Sequence, residues 1–475
     1  MQLMEGAAPS ASTIGGDEAA PSRFFPMSTA SPSQPWTRLL TRDHWFVFSV
    51  ASLAWLFDCM DQQFFNLGRG AAMEQLLPDK SKVIEYGSYT TSVFLLGWAA
   101  GGLLFGALGD RFGRARILTV SVLLYSVFTG LSALSTGFFD FCVYRFLTGM
   151  GVGGVFGLAV ALVADTVPDK ARAPALGLLQ SLSSIGNISA GLIGMGIGML
   201  AARELLPMGI KTWQAMFIVG GAPAFLCVFI LAKLKEPQKW VDAKAAGKIS
   251  GVKFGSYATL LSHPRWRKHA WGGLVLCSAG IIGLWGIGNF HPTIVASIVG
   301  EHLKATNVSP EKLASEKAFW GSMGLLLQNI GAFFGMTVLA KVAQVKGRKF
   351  AFALALILSF ASTVLVFKGM RQFSDIFWMI PLMGFGQLSV FAVYAIYLPE
   401  LFPTSLRATG TSFCYNFGRV VAATAPFTVG QITKSLSGNL EGFRTAGLWM
   451  SLVLLLGLLV LPMLPETKDK PLPEE

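Results

Sequence analysis

Gly109-Asp110-Arg111-Phe112-Gly113-Arg114-Ala115-Arg116 is a short basic turn between two apolar runs, Tyr89–Leu108 and Ile117–Leu134. A second turn, Val345-Lys346-Gly347-Arg348-Lys349-Phe350, stands between the apolar runs Phe319–Val342 and Phe350–Phe367. A Gly-Arg-basic turn at equivalent places in two halves is the mark of a parallel internal repeat. The second copy lacks the acid: Gln344 stands where Asp110 would be.

Working outward from these turns, the chain shows twelve runs of the length a bilayer requires, about 20 mostly apolar residues each. Those of the first half are Trp45–Leu67, Tyr89–Leu108, Ile117–Leu134, Phe138–Val163, Pro174–Leu200 and Trp213–Leu234. Those of the second are Ala270–Val295, Phe319–Val342, Phe350–Phe367, Ile376–Leu398, Ser405–Ile432 and Thr445–Leu464. Apolar residues make up 53% of the 475-residue chain and charged residues 13%, against roughly 25% charged in soluble domains. Such a chain uses lipid as the solvent for its outer face.

Charge placement sets orientation. The central loop carries Lys233, Lys235, Lys239, Lys244, Lys248, Lys253, Arg265, Arg267 and Lys268 against Glu236 and Asp242. The positive side faces the cytoplasm, so both termini are expected there, in an inner membrane. The expected organisation is a disordered Ala/Ser/Pro-rich tail over 1–43, a six-helix half over 44–234, a basic linker over 235–268, a second half over 269–464 and a tail over 465–475. The net charge of +12 is spread over loops, which argues against a nucleic-acid partner. The 5 scattered cysteines and 5 histidines suggest no metal and no cofactor. The near match to a dinucleotide motif, Gly149 to Gly154, falls inside an apolar run and reads as helix packing. No nucleophile–base pair stands out, so an enzyme is not expected.

These motifs resemble the major facilitator superfamily over nearly everything after Trp45. The Asp110 turn looks like the family's signature loop, and the resemblance implies that Asp110, Arg111, Gly113 and Arg114 latch the outward-open state; the plainer alternative is a basic loop. Arg145, ahead of Gly149, Gly151, Gly153 and Gly154, looks like the family's fourth-helix motif. It implies proton coupling or a cavity position, with snorkelling to the interface as the alternative. Asp165 with Arg172, and Glu400 with Arg407, occupy matching loops after runs four and ten. Glu236-Pro237 and Pro465-Glu466 end the two halves. These four elements resemble the sugar-porter and metabolite–proton symporter branches, where such acids and arginines form salt bridges that exchange during transport. Asp165 departs from the branch's usual Glu. The resemblance also implies a monomer.

Run one contains Asp58 and Asp61, three apart and so on one helical face. The pair resembles an element of organic-acid proton symporters. Buried like charges favour neutralising one of them, which suits a proton carrier, with the proton as coupling ion; a structural pairing with Arg145 is the other reading. Polar groups at mid-run positions are the substrate-site candidates: Gln62, Asn66, Gln180, Asn187, Asn289, Gln328, Asn329, Gln387, Tyr394, Asn416 and Arg419. Each alone reads more readily as interhelical glue than as a ligand contact; together, from six helices across both halves, they imply a polar cavity. Arg419 lies deep in its run with no acid on the same run, so it seeks a substrate carboxylate or one of Asp58, Asp61 and Glu400. The expected function is proton-coupled import of a small organic anion, an aromatic or sugar acid. A neutral-sugar porter is the runner-up, and drug efflux follows.

Overall fold

The computed structural model describes residues 35–79, 82–223, 233–287, 291–304, 310–422, 424–436 and 440–474. The described elements are all helical. The first half contains α1 (Arg42–Leu76), α2 (Val83–Phe112), α3 (Arg114–Ser132), α4 (Phe138–Thr166), α5 (Asp169–Ala202) and α6 (Thr212–Gly220). Two linker helices follow, α7 (Gln238–Ser250) and α8 (Tyr257–Ser262). The second half runs through α9 (Pro264–Ile281), α10 (His291–Lys304), α11 (Pro310–Lys346), α12 (Arg348–Val364), α13 (Ile376–Glu400), α14 (Arg407–Ser412), α15 (Gly418–Ala422), α16 (Ala425–Leu436), α17 (Leu440–Ser451) and α18 (Val453–Val460).

Eight described helices are long and apolar enough to cross a membrane by length and composition. Span one, α1, carries Asp58 and Asp61, and the run of span six beyond Gly220 passes into residues outside the described set. Spans seven and eleven are broken by π-helical turns, Ile282–Ile287 after α9 and Phe413–Phe417 between α14 and α15. Broken helices at membrane depth are tolerated where protein or a cavity covers the freed backbone. Among the described residues these eight divide four and four between the halves. Exposed Leu96, Leu104, Leu123, Phe334, Ile357 and Leu459 face outward along them, as lipid-facing side chains do.

Glycine sets the closest helix approach, and it does so twice. An added Cβ at Gly101 of α2 would meet the Met150 carbonyl at 2.0 Å, and one at Gly153 of α4 the Trp98 carbonyl at 2.1 Å. The second half repeats the contact between α11 and α13, where a Cβ at Gly384 would meet the Gln328 carbonyl at 1.9 Å. Small residues let helix backbones touch where no hydrophobic force drives association. The two signature turns also match. Gly113 and Gly347 take φ of 119° and 102°, values that only glycine adopts without strain.

Each turn is closed by an acid from the end of its own half. Glu236 accepts from the backbone N–H of Ala115 and Arg116, both at 3.1 Å. Glu466 accepts from Arg348 and Lys349, both at 3.0 Å. A carboxylate at a helix N-terminus satisfies free donors and the helix dipole together.

The halves meet along the end that carries the linker. There α5 packs on α11 and α13, and α14 packs on α2 and α4. The linker fastens the same end. Trp240 Nε1 donates to the Asp110 carbonyl at 2.9 Å, Tyr257 to the Leu103 carbonyl at 2.6 Å, and the Gly255 N–H to the Ser405 carbonyl at 3.0 Å.

Gly153→Leu should lower the melting temperature in detergent, because overpacking against backbone costs about 1–3 kcal/mol or more. Gly198→Leu is the control, since a Cβ there meets nothing within 4 Å. Equal melting of the two variants would contradict the close-packing account.

Candidate functional site

The buried charges fall into two sets, one bridging the halves and one deeper in the bundle. The first closes the linker end. Arg114, at the start of α3, and Arg407, at the start of α14, both contact the Asp165 carboxylate; all three side chains are fully buried. Asp165 and Arg114 belong to the first half and Arg407 to the second. The mirror arrangement has Arg348 gripping Glu400 through Nε at 3.0 Å and Nη2 at 2.8 Å, with Arg172 of the first half 3.9 Å from the same carboxylate. Thr467 adds a hydroxyl to Glu400 at 2.5 Å. Each half therefore supplies one acid, one arginine for its own acid and one arginine for the other's.

Asp110 completes the seal on one side. It accepts Arg114 at 3.1 Å, the Ala408 N–H at 3.1 Å, and the Thr409 N–H and hydroxyl, each at 2.8 Å. It thus caps the N-terminus of α14 across the interface. Gln344, its counterpart, receives Lys341 at 3.5 Å on the surface. Of the expected gate residues, Arg111 stays outside the network: its guanidinium lies over the exposed Phe112 ring at 5.3 Å.

The second set lies deeper. Asp58 and Asp61 of α1 are 2% and 0% exposed. One Asp61 oxygen accepts the Thr129 hydroxyl at 2.6 Å and the other has no hydrogen-bond partner. Arg145 of α4 is fully buried, which removes the snorkelling alternative. Its Nη2 donates to Ser132 at 2.8 Å and Thr148 at 3.0 Å, and its plane is walled by Phe217, Phe65 and Phe141 at 4.7, 5.6 and 5.9 Å. Asp61 and Arg145 are each other's counter-charge without closing into an ion pair.

Arg419 of α15 enters from the other half. Its guanidinium lies 3.5 Å from the Trp98 ring centre and 4.5 Å from that of Tyr415. Nε and Nη1 are buried without hydrogen-bond partners, as is one oxygen of Asp58, the acid on which its charge acts. Phe156 stacks on Tyr415 at 3.9 Å and continues to Trp55 at 5.1 Å.

The remaining candidates divide. Asn187 donates to Asn329 across the halves at 2.8 Å. Just beyond that bond, away from the linker, a cavity of about 440 Å³ opens between α1, α5 and α11, with Gln63, Met195, Phe319 and Ser322 among its walls. Asn66 donates to Gln63 at 3.4 Å. Gln62 and Gln180 keep a buried polar atom unpartnered. Gln387 is spent within the second half, on the Gly283 carbonyl and Thr363 at 3.1 Å each, with Gln328 donating to it at 3.4 Å. The Tyr394 hydroxyl is spent on the Leu276 carbonyl at 2.6 Å. Asn416 wedges between Gly102 and Gly153, donating to the Gly153 carbonyl at 3.4 Å. Asn289 lies outside the described residues. Arg348 was not among the expected gate residues, although its place after Gly347 matches Arg114 after Gly113. Nor was the Trp98–Tyr415 stack around Arg419 expected, for which no local pattern exists.

A helical bundle whose halves are cross-braced at one end, with charge held at mid-depth, has the build of a transporter, and the relatives it matches are named as transporters. The sequence comparisons agree with the fold. Residues 79–309 match the Major Facilitator Superfamily model and residues 367–474 match the Sugar (and other) transporter model. The chain belongs to the major facilitator superfamily. It is 29% identical to the cis,cis-muconate transport protein of Acinetobacter baylyi, over 84% of this chain and 90% of that one. It is 27% identical to a sialic acid transporter of Escherichia coli, over 69% and 73%. The solved structure of a proton:xylose symporter superposes with a TM-score of 0.67 at 18% identity, covering 90% of this chain and 97% of that one.

Glu466 lends itself to a pH test because it lies outside the spans. Burial pushes its carboxyl up, but the N–H groups of Arg348, Lys349, Lys468 and Thr467 outweigh burial and hold it below the ordinary glutamate range. Its stabilisation is therefore present above the unfolded value of about 4.3 and lost as pH falls through the folded one. Glu466→Gln should melt below wild type at about pH 7, and the gap should close below about pH 4. A gap that is the same at both pH values would contradict the cap.

Proposed function

We propose that the protein imports a small organic anion together with protons, by alternating access, as a monomer in the inner membrane with both termini in the cytoplasm. The observation that carries this reading is Arg419, a half-buried arginine whose guanidinium lies against two aromatic rings with Nε and Nη1 buried and unpartnered. A guanidinium so fixed grips a carboxylate with little loss of conformational freedom. The named relatives support a carboxylate, since muconate carries two and sialic acid one. The basic linker supports a cytoplasmic location for the sealed end, so this conformation receives solute from the opposite side. Protonation at the Asp58–Asp61 pair, with Arg145 as counter-charge, is the coupling step. It neutralises a buried carboxylate and lets the halves rock from one closure to the other. The second reading, a neutral-sugar porter, draws on the match of residues 367–474 to the sugar transporter model, but it leaves Arg419 without a role.

Uptake by proteoliposomes under an inward proton gradient decides between them. 4-Hydroxybenzoate, nicotinate and gluconate are compared with glucose and xylose. Acid uptake should dominate and should collapse with the gradient. Arg419→Gln should weaken it about 10–100-fold, the loss expected for a hydrogen bond between charged groups of about 1.5–3 kcal/mol. Gradient-independent uptake of glucose or xylose, with Arg419→Gln unaffected, would overturn the anion reading.

A further inference from the structure

The two buried acids at the linker end share a plan but not a grip. Asp165 contacts Arg114 of its own half through one oxygen and Arg407 of the opposite half through the other. Glu400 is taken up by its own half. Arg348 donates Nη2 to one oxygen at 2.8 Å and Nε to the other at 3.0 Å, and the Thr467 hydroxyl adds a bond to that second oxygen at 2.5 Å. Arg172, the arm from the first half, stays 3.9 Å away. Its Nη2 is spent on Asp169 of its own helix at 2.8 Å, and its Nε and Nη1 are buried with no hydrogen-bond partner.

The Thr467 hydroxyl accounts for this difference, and its counterpart in the first half does not exist. Glu466, while capping α12, also accepts the N–H groups of Thr467 and Lys468, both at 2.9 Å. The Tyr397 hydroxyl holds the Pro465 carbonyl at 2.5 Å. Thr467 is thereby pinned against Glu400 and is 8% exposed. In the matching place after Glu236 stands Pro237, which has no hydroxyl. The three donors on Glu400 meet most of the about four lone-pair sites of a carboxylate, so the pull on Arg172 is weak. Loss of the hydroxyl would reverse this. A buried carboxylate oxygen that has lost a donor takes another where it can, and the idle donors of Arg172 are the nearest.

We infer, from the alternating-access part of the proposed function and for any substrate, that Thr467 is a positioning residue for transport: its hydroxyl keeps Glu400 on the second half and Arg172 off it, so that the linker end parts first on the Glu400 side. The Asp165 side is then the stronger charged clasp, with Arg407 in direct contact and Asp110 capping α14 across the halves. Deleting the Thr467 hydroxyl should tighten the closed end, because a bond within one half gives way to a bond between halves.

The test uses the full-length protein in lipid nanodiscs, spin-labelled at the exposed positions Lys170 and Val345 across the linker end and Leu205 and Phe319 across the opposite end. No substrate is needed. Thr467→Val should raise the ratio of closed to open linker end by about 2–10-fold, the effect of one net hydrogen bond, most visibly in an Arg407→Gln background that lacks the Asp165 clasp. Thr467→Ser keeps the hydroxyl and should match wild type. Adding Arg172→Gln to Thr467→Val should erase the gain, whereas a merely structural role of Thr467 would not depend on Arg172. A ratio that falls or stays the same in Thr467→Val, or a gain that survives Arg172→Gln, overturns the inference. One comparison holds even if no Thr467 variant folds: Arg407→Gln should open the linker end far more than Arg172→Gln, and equal opening overturns the inference as well. If the two ends never move in opposite senses in any variant, alternating access itself fails, an outcome the opposite-end pair tells apart from the others.

Discussion

One buried carboxylate, Asp165, is held by an arginine of its own half and an arginine of the other, Arg114 and Arg407. Much of the closed end follows from that arrangement. With all three side chains fully buried, none can be left without a partner cheaply: removing one member of a buried ion pair costs about 3–5 kcal/mol. The same rule governs the mirror site of Glu400, Arg348 and Arg172. The two sites lock the halves by symmetry, and Asp110 adds a one-sided clasp where the second half has Gln344. A seal made of charge differs from one made of packing. It can open without exposing new apolar surface, because each charge finds water on release.

Span eleven ties this seal to the deeper site. Arg407 starts it in the ion network, and Asp110 caps its first turn. A turn later Ser412 sits against Gly106 and Gly157; a turn after that Asn416 sits against Gly102 and Gly153. Arg419 then stacks on Trp98 of the same α2. One ladder of side chains therefore runs along α2 from the latch to the guanidinium. The π turn at Phe413–Phe417 lies within it, and such turns recur at functional sites in helices.

The architecture was legible because it rests on period and charge, which survive in one dimension. The twelve runs, the repeated Gly-Arg turn and the matching acid–arginine loops single out Asp110, Arg114, Asp165, Arg172, Glu400 and Arg407 in the sequence. Their partners were not legible, since Arg407 meets Asp165 across 242 positions of sequence. The site was legible only in part. A polar residue in a span must face protein or cavity, but which of these it faces depends on its neighbours. Gln387 and Tyr394 look like Asn187 in the sequence. They are spent on backbone carbonyls within their own half, whereas Asn187 reaches across to Asn329 beside a cavity. Arg419 stood out because a charge at that depth demands a reason, yet the rings that fix it come from another helix and from its own π turn.

The central claim is that the charged seal at the linker end sets which side of the bundle is open. Distances between spin labels test it most directly, with one label pair at Lys170 and Val345 across the sealed end and another at Leu205 and Phe319 across the opposite end, all four exposed. The account predicts a short distance at the sealed end in the wild type. With Arg407→Gln, that distance should lengthen while the opposite pair shortens. Unchanged distances, or both pairs lengthening together, would contradict it.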